Sequence, residues 1–290
     1  MKPEHHRLYR PSVLKEVLEA HGFSFTKSLG QNFLIDGNII NKIVRGAEIT
    51  KEDNVLEIGT GIGTLTEELA LRGKKVLAFE IDKGLEPILK DTLQDFSNIH
   101  IVFEDILKAE VKDIVTKEFG EEPFKVVANL PYYVTTPILG KLLEEDLNIS
   151  SITVMVQKEV GQRMVAKPGS KDYGSLSVFI QFFTNPSIIT KVPKTVFLPK
   201  PKVDSIVLRM DVKEPIIGIE KDKFFRIVKA AFSKRRKTII NALSTYGLPV
   251  DKREIRHALE TSNIHEGRRG EELTVDEFIV LSINFPNIGT

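Results

Sequence analysis

Val55-Leu56-Glu57-Ile58 runs straight into Gly59-Thr60-Gly61-Ile62-Gly63, and the helical run Thr64–Arg72 follows at once. No other feature limits the fold as much. A short buried strand, a glycine turn and a helix form the first half of a strand–helix–strand unit. Glycines at such a turn let a ligand approach the backbone, and the helix N-terminus offers free N–H groups. Further apolar runs at 75–79, 99–103, 124–128 and 152–156 have helical patterns between them. Five strand–helix units predict an α/β chain with a doubly wound, mostly parallel sheet, whose ligands bind outside the carboxyl ends of the strands.

The glycine spacing narrows the ligand. A dinucleotide fingerprint wants its third glycine where this chain has Thr64, whereas Gly59, Gly61 and Gly63 alternate. Glu57, one position before Ile58, is also expected to repel a pyrophosphate. Glu80 follows the second strand, 21 residues beyond Gly59. An acid at that place accepts from both ribose hydroxyls of a nucleoside. Glu104 and Asp105 end the third strand, where a carboxylate suits an adenine amino group.

The fourth strand leads into Asn129-Leu130-Pro131-Tyr132. Pro131 is stiff and holds the residue before it extended. The Asn129 side chain and nearby carbonyls can then point outward as acceptors beside the flat ring of Tyr132, a set that suits an amino group on an aromatic base. Taken alone, the same four residues also read as a Pro turn after a strand.

Beyond the fifth strand the pattern changes. Residues 176–183 read as a long apolar strand, 197–205 as a Pro-stiffened extended loop and 206–212 as another strand. Phe197 either fills the core or, if its loop crosses the sheet edge, faces Tyr132. A linker at 215–219 precedes four expected helices at 222–233, 236–246, 251–260 and 274–284. Earlier, a short amphipathic helix is expected over 11–22, then a polar loop from Lys27 to Leu34, and Asp36 is placed to cap a helix carrying Ile39, Ile40, Ile43 and Val44.

Charge is uneven. Residues 51–149 carry a balance of −9 and residues 223–256 a balance of +8, within a net charge of +1. Lys234, Arg235, Arg236 and Lys237 are four adjacent cations, which form either a solvated face or a site for several phosphates. The absence of cysteine excludes a disulfide frame and a thiolate metal site. No apolar run approaches the ~20 residues that span a bilayer, so a soluble, cytoplasmic protein is expected.

In order, KSLGQNFL, LEIGTGIG, a strand-end Glu, ED and NLPY make a set more specific than any member. Over its whole length the chain resembles the ribosomal RNA adenine dimethyltransferase family. The resemblance implies a Rossmann-like methyltransferase domain over 1–214, with residues 1–48 covering the cofactor, and a small all-helical RNA-binding domain over 215–290. It implies S-adenosyl-L-methionine as cofactor, no metal and no obligate protein partner. Asn32, Leu34, Gly59, Glu80, Asp105 and Asn129 match the family's cofactor contacts. Asn129, Leu130 and Tyr132 match its catalytic positions, and Phe197, in an FxPxPKVxS pattern, matches the second aromatic of the target pocket. The expected reaction is dimethylation of two adjacent adenosines near the 3′ end of 16S RNA in the small ribosomal subunit or its precursor, with a role in ribosome biogenesis. Lys234, Arg235, Arg236 and Lys237 are expected to bind RNA. Two alternatives within the same resemblance are a large-subunit enzyme conferring macrolide resistance and a non-catalytic nucleic-acid-binding factor.

Overall fold

The computed structural model describes residues 7–25 and 30–289. Of the KSLGQNFL motif, Lys27, Ser28 and Leu29 lie outside the described residues. The chain forms two compact units: one comprises residues up to Gly161 together with Ser187–Val212, the other Gln162–Pro186 together with the chain from Lys213 onward. A single boundary at 214/215 is therefore replaced by two excursions into the helical unit.

The first unit begins with α1 (Pro11–Ala20), β1 (Phe33–Leu34) and α2 (Gly37–Gly46). Proline at the first turn opens α1, and the Asp36 carboxylate accepts from the Asn38 and Ile39 backbone N–H groups to cap α2, as its position predicts. Then come β2 (Asn54–Ile58), α3 (Thr64–Arg72), β3 (Lys75–Phe79), α4 (Glu86–Thr92), β4 (Ile99–Val102), α5 (Val111–Phe119), β5 (Phe124–Asn129), α6 (Thr135–Glu144) and β6 (Ile149–Gln157). After α7 (Lys158–Met164) and α8 (Ser175–Phe183) the chain returns through β7 (Thr184–Val192), β8 (Phe197–Leu198) and β9 (Ser205–Val212).

The main sheet runs β4-β3-β2-β5-β6-β9-β7. Its first five strands are parallel and β9 is antiparallel to β6. The order reverses between β2 and β5, which opens a crevice beyond their carboxyl ends. Those ends are Ile58 and Asn129. Buried strand residues such as Val55, Leu56, Val126 and Val127 are under 1 % exposed, as expected of strands covered on both faces.

One expected strand is a helix. Residues 176–183 lie in α8; the two polar residues of this mostly apolar run, Ser177 and Gln181, stand four apart, a helical spacing that its apolar content masks. Aromatic packing decides it: Phe182 meets Phe224 at 4.5 Å between ring centroids, and Phe179 meets Phe225 at 5.2 Å. A local signal existed, since the Ser177 hydroxyl accepts from the Gly174 backbone N–H and marks a helix start.

The rest of the helical unit is α9 (Lys221–Ala231), α10 (Ile239–Ser244), α11 (Lys252–Thr261) and α12 (Val275–Asn284) around Phe224, Ile227, Leu259 and Phe278. Reciprocal caps start two of these helices, Asp251 with Glu254 and Thr274 with Glu277. Because α10 starts at Ile239, Lys234–Lys237 all lie in the turn before it, exposed. No helix among the described residues is long and apolar enough to cross a membrane.

Candidate active site

The glycine turn leaves β2 with Gly59, Gly61 and Gly63 all at positive φ, which residues with a Cβ rarely adopt. Glu80, at the end of β3, holds this turn. Its carboxylate accepts from the Gly61 N–H at 3.0 Å, the Thr60 hydroxyl at 3.0 Å and the Asp82 N–H at 2.9 Å. Glu80 is buried, and burial pushes its carboxyl upward against the pull of those three donors. The carboxylate thus buttresses the loop as well as facing the pocket.

Residues 30–33 close the other side. Gln31 donates to Asp82 at 2.6 Å. The Asn32 side chain donates to the Gly30 carbonyl at 2.8 Å, and the Asn32 carbonyl accepts from Asn129 Nδ2 at 3.2 Å. With Nδ2 so engaged, Asn129 Oδ1 is its remaining acceptor. The Leu130 N–H donates to Met155, fixing the start of the Pro131 turn. The Tyr132 ring is half-buried, and its hydroxyl lies 2.8 Å from Ser205 Oγ. Burial raises the Tyr132 phenol and the Ser205 hydrogen bond opposes it.

One pocket brings together Asn32, Gly59, Glu80, Asp105, Asn129, Leu130 and Tyr132. The Asp105 carboxylate also accepts from the Leu107 N–H at 3.0 Å. Ile58, Phe79, Ile81, Leu85, Ile106 and Leu107 supply apolar walls. Three carboxylates, Glu80, Glu104 and Asp105, line the pocket, and among its described lining residues there is no Lys, Arg or His. Such a lining suits a nucleoside with a cationic rather than a pyrophosphate substituent.

Two expected site residues are elsewhere. β8 pairs antiparallel with β1, setting Leu34 opposite Phe197. Both side chains are buried in a cluster with Val127, Met155 and Val207 and neither lines the pocket. Phe197 is packed in this core cluster, 3 % exposed. Glu57 needs a similar correction. Strand alternation puts Ile58 on the pocket and Glu57 away from it, fully buried near Thr66. The repulsion assigned to Glu57 belongs instead to Glu80, Glu104 and Asp105.

Local pattern did not single out Gln31, Ser205 or Tyr133, because Gln31 and Ser205 meet partners distant in sequence, Asp82 and Tyr132, and the exposure of Tyr133 is set by the fold. In the helical unit, Arg235 pairs with Glu271 at 3.3 Å and donates to the Lys171 carbonyl, while Lys234, Arg236 and Lys237 extend into solvent.

A five-strand parallel core, a crevice at its reversal point and this acceptor-lined pocket define an enzyme of the Rossmann-like methyltransferase class. The chain belongs to the ribosomal RNA adenine dimethylase family, whose model matches residues 22–283. It is 50 % identical over 280 residues to ribosomal RNA small subunit methyltransferase A of Alkaliphilus oremlandii, covering 96 % of this chain and 98 % of that one. Identity to the Bacillus licheniformis protein of the same name is 52 % over 278 residues, covering 94 % and 95 %. Among solved structures, a dimethyladenosine transferase from Plasmodium falciparum superposes with a TM-score of 0.75 at 26 % identity, over 86 % of this chain and 95 % of that one. The 23S rRNA methyltransferase ErmE superposes at 0.67 with 28 % identity, over 88 % and 99 %.

Proposed function

We propose that the protein uses S-adenosyl-L-methionine to dimethylate the exocyclic amino groups of two adjacent adenosines near the 3′ end of 16S RNA, within the small ribosomal subunit or its precursor, in the cytoplasm. The observation that carries this reading is the pocket itself: carboxylates without a cation, beside an Asn129 whose amide nitrogen is already engaged. The small-subunit assignment rests on identity. Relatives named for the small subunit share half of their residues with this chain, against 28 % for ErmE.

The residues present fit the cofactor. Glu80 retains lone pairs for ribose hydroxyls, Asp105 suits the adenine amino group, and Ile106 and Leu107 suit the faces of the ring. Gly59 leaves the backbone approachable, since a Cβ there would meet nothing nearer than the Asn129 carbonyl at 3.8 Å. Bound in the pocket, the cofactor supplies an electrophilic methyl group.

The adenine amino nitrogen is a weak nucleophile because its lone pair is delocalised into the ring. Asn129 Oδ1 and the Leu130 carbonyl accept from its hydrogens and favour a tetrahedral nitrogen. Neither is a strong base, so the proton leaves to solvent after methyl transfer. Most acceleration comes from positioning, which in well-oriented systems supplies up to ~7–11 kcal/mol. The adenosine must leave its stack to enter. Tyr132 then offers a ring worth ~1–3 kcal/mol of stacking.

The test maps dimethyladenosine by mass spectrometry. Small subunits and naked 23S RNA, each from cells lacking the modification, are incubated with protein and methyl donor. Two dimethylated adenosines in the small subunit and none in 23S RNA are expected. Modification of 23S RNA alone would select the macrolide-resistance reading, and modification of neither the non-catalytic one.

A further inference from the structure

Tyr133 is the one exposed aromatic side chain among the described residues. It is 59 % exposed, whereas every other Phe and Tyr described is buried or half-buried. It also stands at the mouth of the pocket, immediately after Tyr132. Single exposed apolar side chains occur elsewhere on this surface, Ile217 and Ile283 among them; Tyr133 differs in lining the pocket.

The surroundings hold the ring from one side. Gly30, at φ +63, lies beside it: a Cβ at that position would be in ordinary contact with Tyr133 Cε1 at 3.4 Å and with the Pro131 side chain at 3.9 Å. The Tyr133 hydroxyl makes no hydrogen bond among the described residues, in contrast to Tyr132, whose hydroxyl is tied to Ser205. Tyr132 is thus pinned inside the pocket, and Tyr133 presents an open face at its rim.

A nucleotide extruded into the pocket abandons its neighbour, which loses one stacking face. An open aromatic ring at the rim restores that face without reading sequence. We propose that Tyr133 stacks the base next to the extruded adenosine, so that one adenosine of the pair waits on Tyr133 while the other is methylated. This deepens the reading given under Proposed function and rests on it. Tyr133 is in these terms a positioning residue that keeps the second adenosine at the mouth between methyl transfers.

The test compares wild type with Tyr133→Ala, Tyr133→Leu, Tyr133→Phe and Tyr133→Trp on unmodified small subunits. Subunit KM and the ratio of doubly to singly dimethylated product are measured, the latter by mass spectrometry. Tyr133→Ala and Tyr133→Leu should raise KM about fivefold to 150-fold, the factor corresponding to ~1–3 kcal/mol of stacking. Both should accumulate subunits carrying only one dimethyladenosine. Tyr133→Phe and Tyr133→Trp should match wild type, because the ring and not the hydroxyl acts. The Leu variant keeps an apolar side chain against Gly30, so its failure would separate stacking from packing. An unchanged product ratio in the Ala and Leu variants, at whatever KM, overturns the proposal while leaving the function intact. A wild-type protein that fails to modify the subunit overturns both.

Discussion

The Tyr132 hydroxyl lies 2.8 Å from Ser205 Oγ, joining the turn after β5 to the first residue of β9, 73 positions away. Ser205 is fully buried and Tyr132 half-buried. The bond therefore fixes one orientation of a ring that would otherwise turn about its Cα–Cβ bond. Tyr132→Phe and Ser205→Ala should each weaken productive subunit binding by ~0.5–1.5 kcal/mol, the net worth of one such hydrogen bond. Tyr132→Ala should lose the stacking as well and fall further. Steady-state kinetics on the small subunit distinguish the two. Equal defects in Tyr132→Phe and Tyr132→Ala would show that the hydroxyl, and not the ring, carries the contact.

Asn129 should act on the rate rather than on binding. Its Nδ2 donates to Asn32, which leaves Oδ1 for the amino group as that nitrogen gains positive charge. Asn129→Ala should slow methyl transfer by roughly a hundredfold to a thousandfold, or ~2.7–4 kcal/mol, with cofactor and subunit affinities little changed. Single-turnover methylation at saturating cofactor and subunit reads this directly. A wild-type rate would remove Asn129 from the mechanism.

Glu80 holds the glycine turn, and the proposed function gives it the cofactor ribose as well; one substitution separates the two only in part. Glu80→Ala should weaken S-adenosylmethionine by ~1.5–3 kcal/mol through the lost charged acceptor. It should also loosen the glycine turn, because the Gly61 N–H and the Thr60 hydroxyl lose their partner. Glu80→Gln keeps one acceptor oxygen and should fall between wild type and Ala. Calorimetric titration with the cofactor, alongside thermal unfolding, reports both effects. Unchanged affinity in a folded Glu80→Ala protein would refute the ribose role.

Glu57 makes stability depend on pH. It is fully buried, and burial pushes its carboxyl from an ordinary 4.5 up to about 8, with the nearby Glu80 adding to the rise and Thr66 opposing it. Between those two values the folded protein holds a proton that the unfolded chain has released. Stability from this group is thus full below about 4.5 and is lost as pH rises through about 8, at a slope of up to ~1.4 kcal/mol per pH unit. Glu57→Gln is neutral throughout and should lack this slope, melting above wild type at alkaline pH. Melting curves that shift in parallel from pH 5 to 8.5 would contradict the assignment.

The four cations of the turn before α10 should govern RNA capture. Replacing Lys234, Arg235, Arg236 and Lys237 with Ala should leave cofactor affinity intact, weaken subunit binding and flatten its dependence on salt, because fewer counterions are released. Arg235 is held by Glu271 and the Lys171 carbonyl, so its own share should be the smallest of the four. An unchanged salt slope would identify the turn as solvated surface.

Local chemistry made the strand–helix alternation, the glycine turn, the Asp36 cap and the helices around Phe224 and Phe278 legible in the sequence. Each depends on residues within a few positions of one another: a side-chain period, an N-cap, a backbone that needs positive φ. The same holds for the placement of Glu80, Asp105 and Asn129, since a residue at the carboxyl end of a parallel strand reaches the crevice through topology alone. The tertiary structure decided what depends on long-range pairing. Residues 176–183 became α8 because Phe179 and Phe182 found Phe225 and Phe224, a choice that a mostly apolar run of eight residues leaves open. Phe197 and Leu34 went to the core because β8 found β1, more than 160 positions apart in the chain. Glu57 turned away from the ligand crevice because Ile58 faced it, and the bond from Tyr132 to Ser205 needed β9 to lie beside β6. The chain's local physics thus determined which side chains could carry the chemistry, and the packing of remote segments determined which of them reach the pocket.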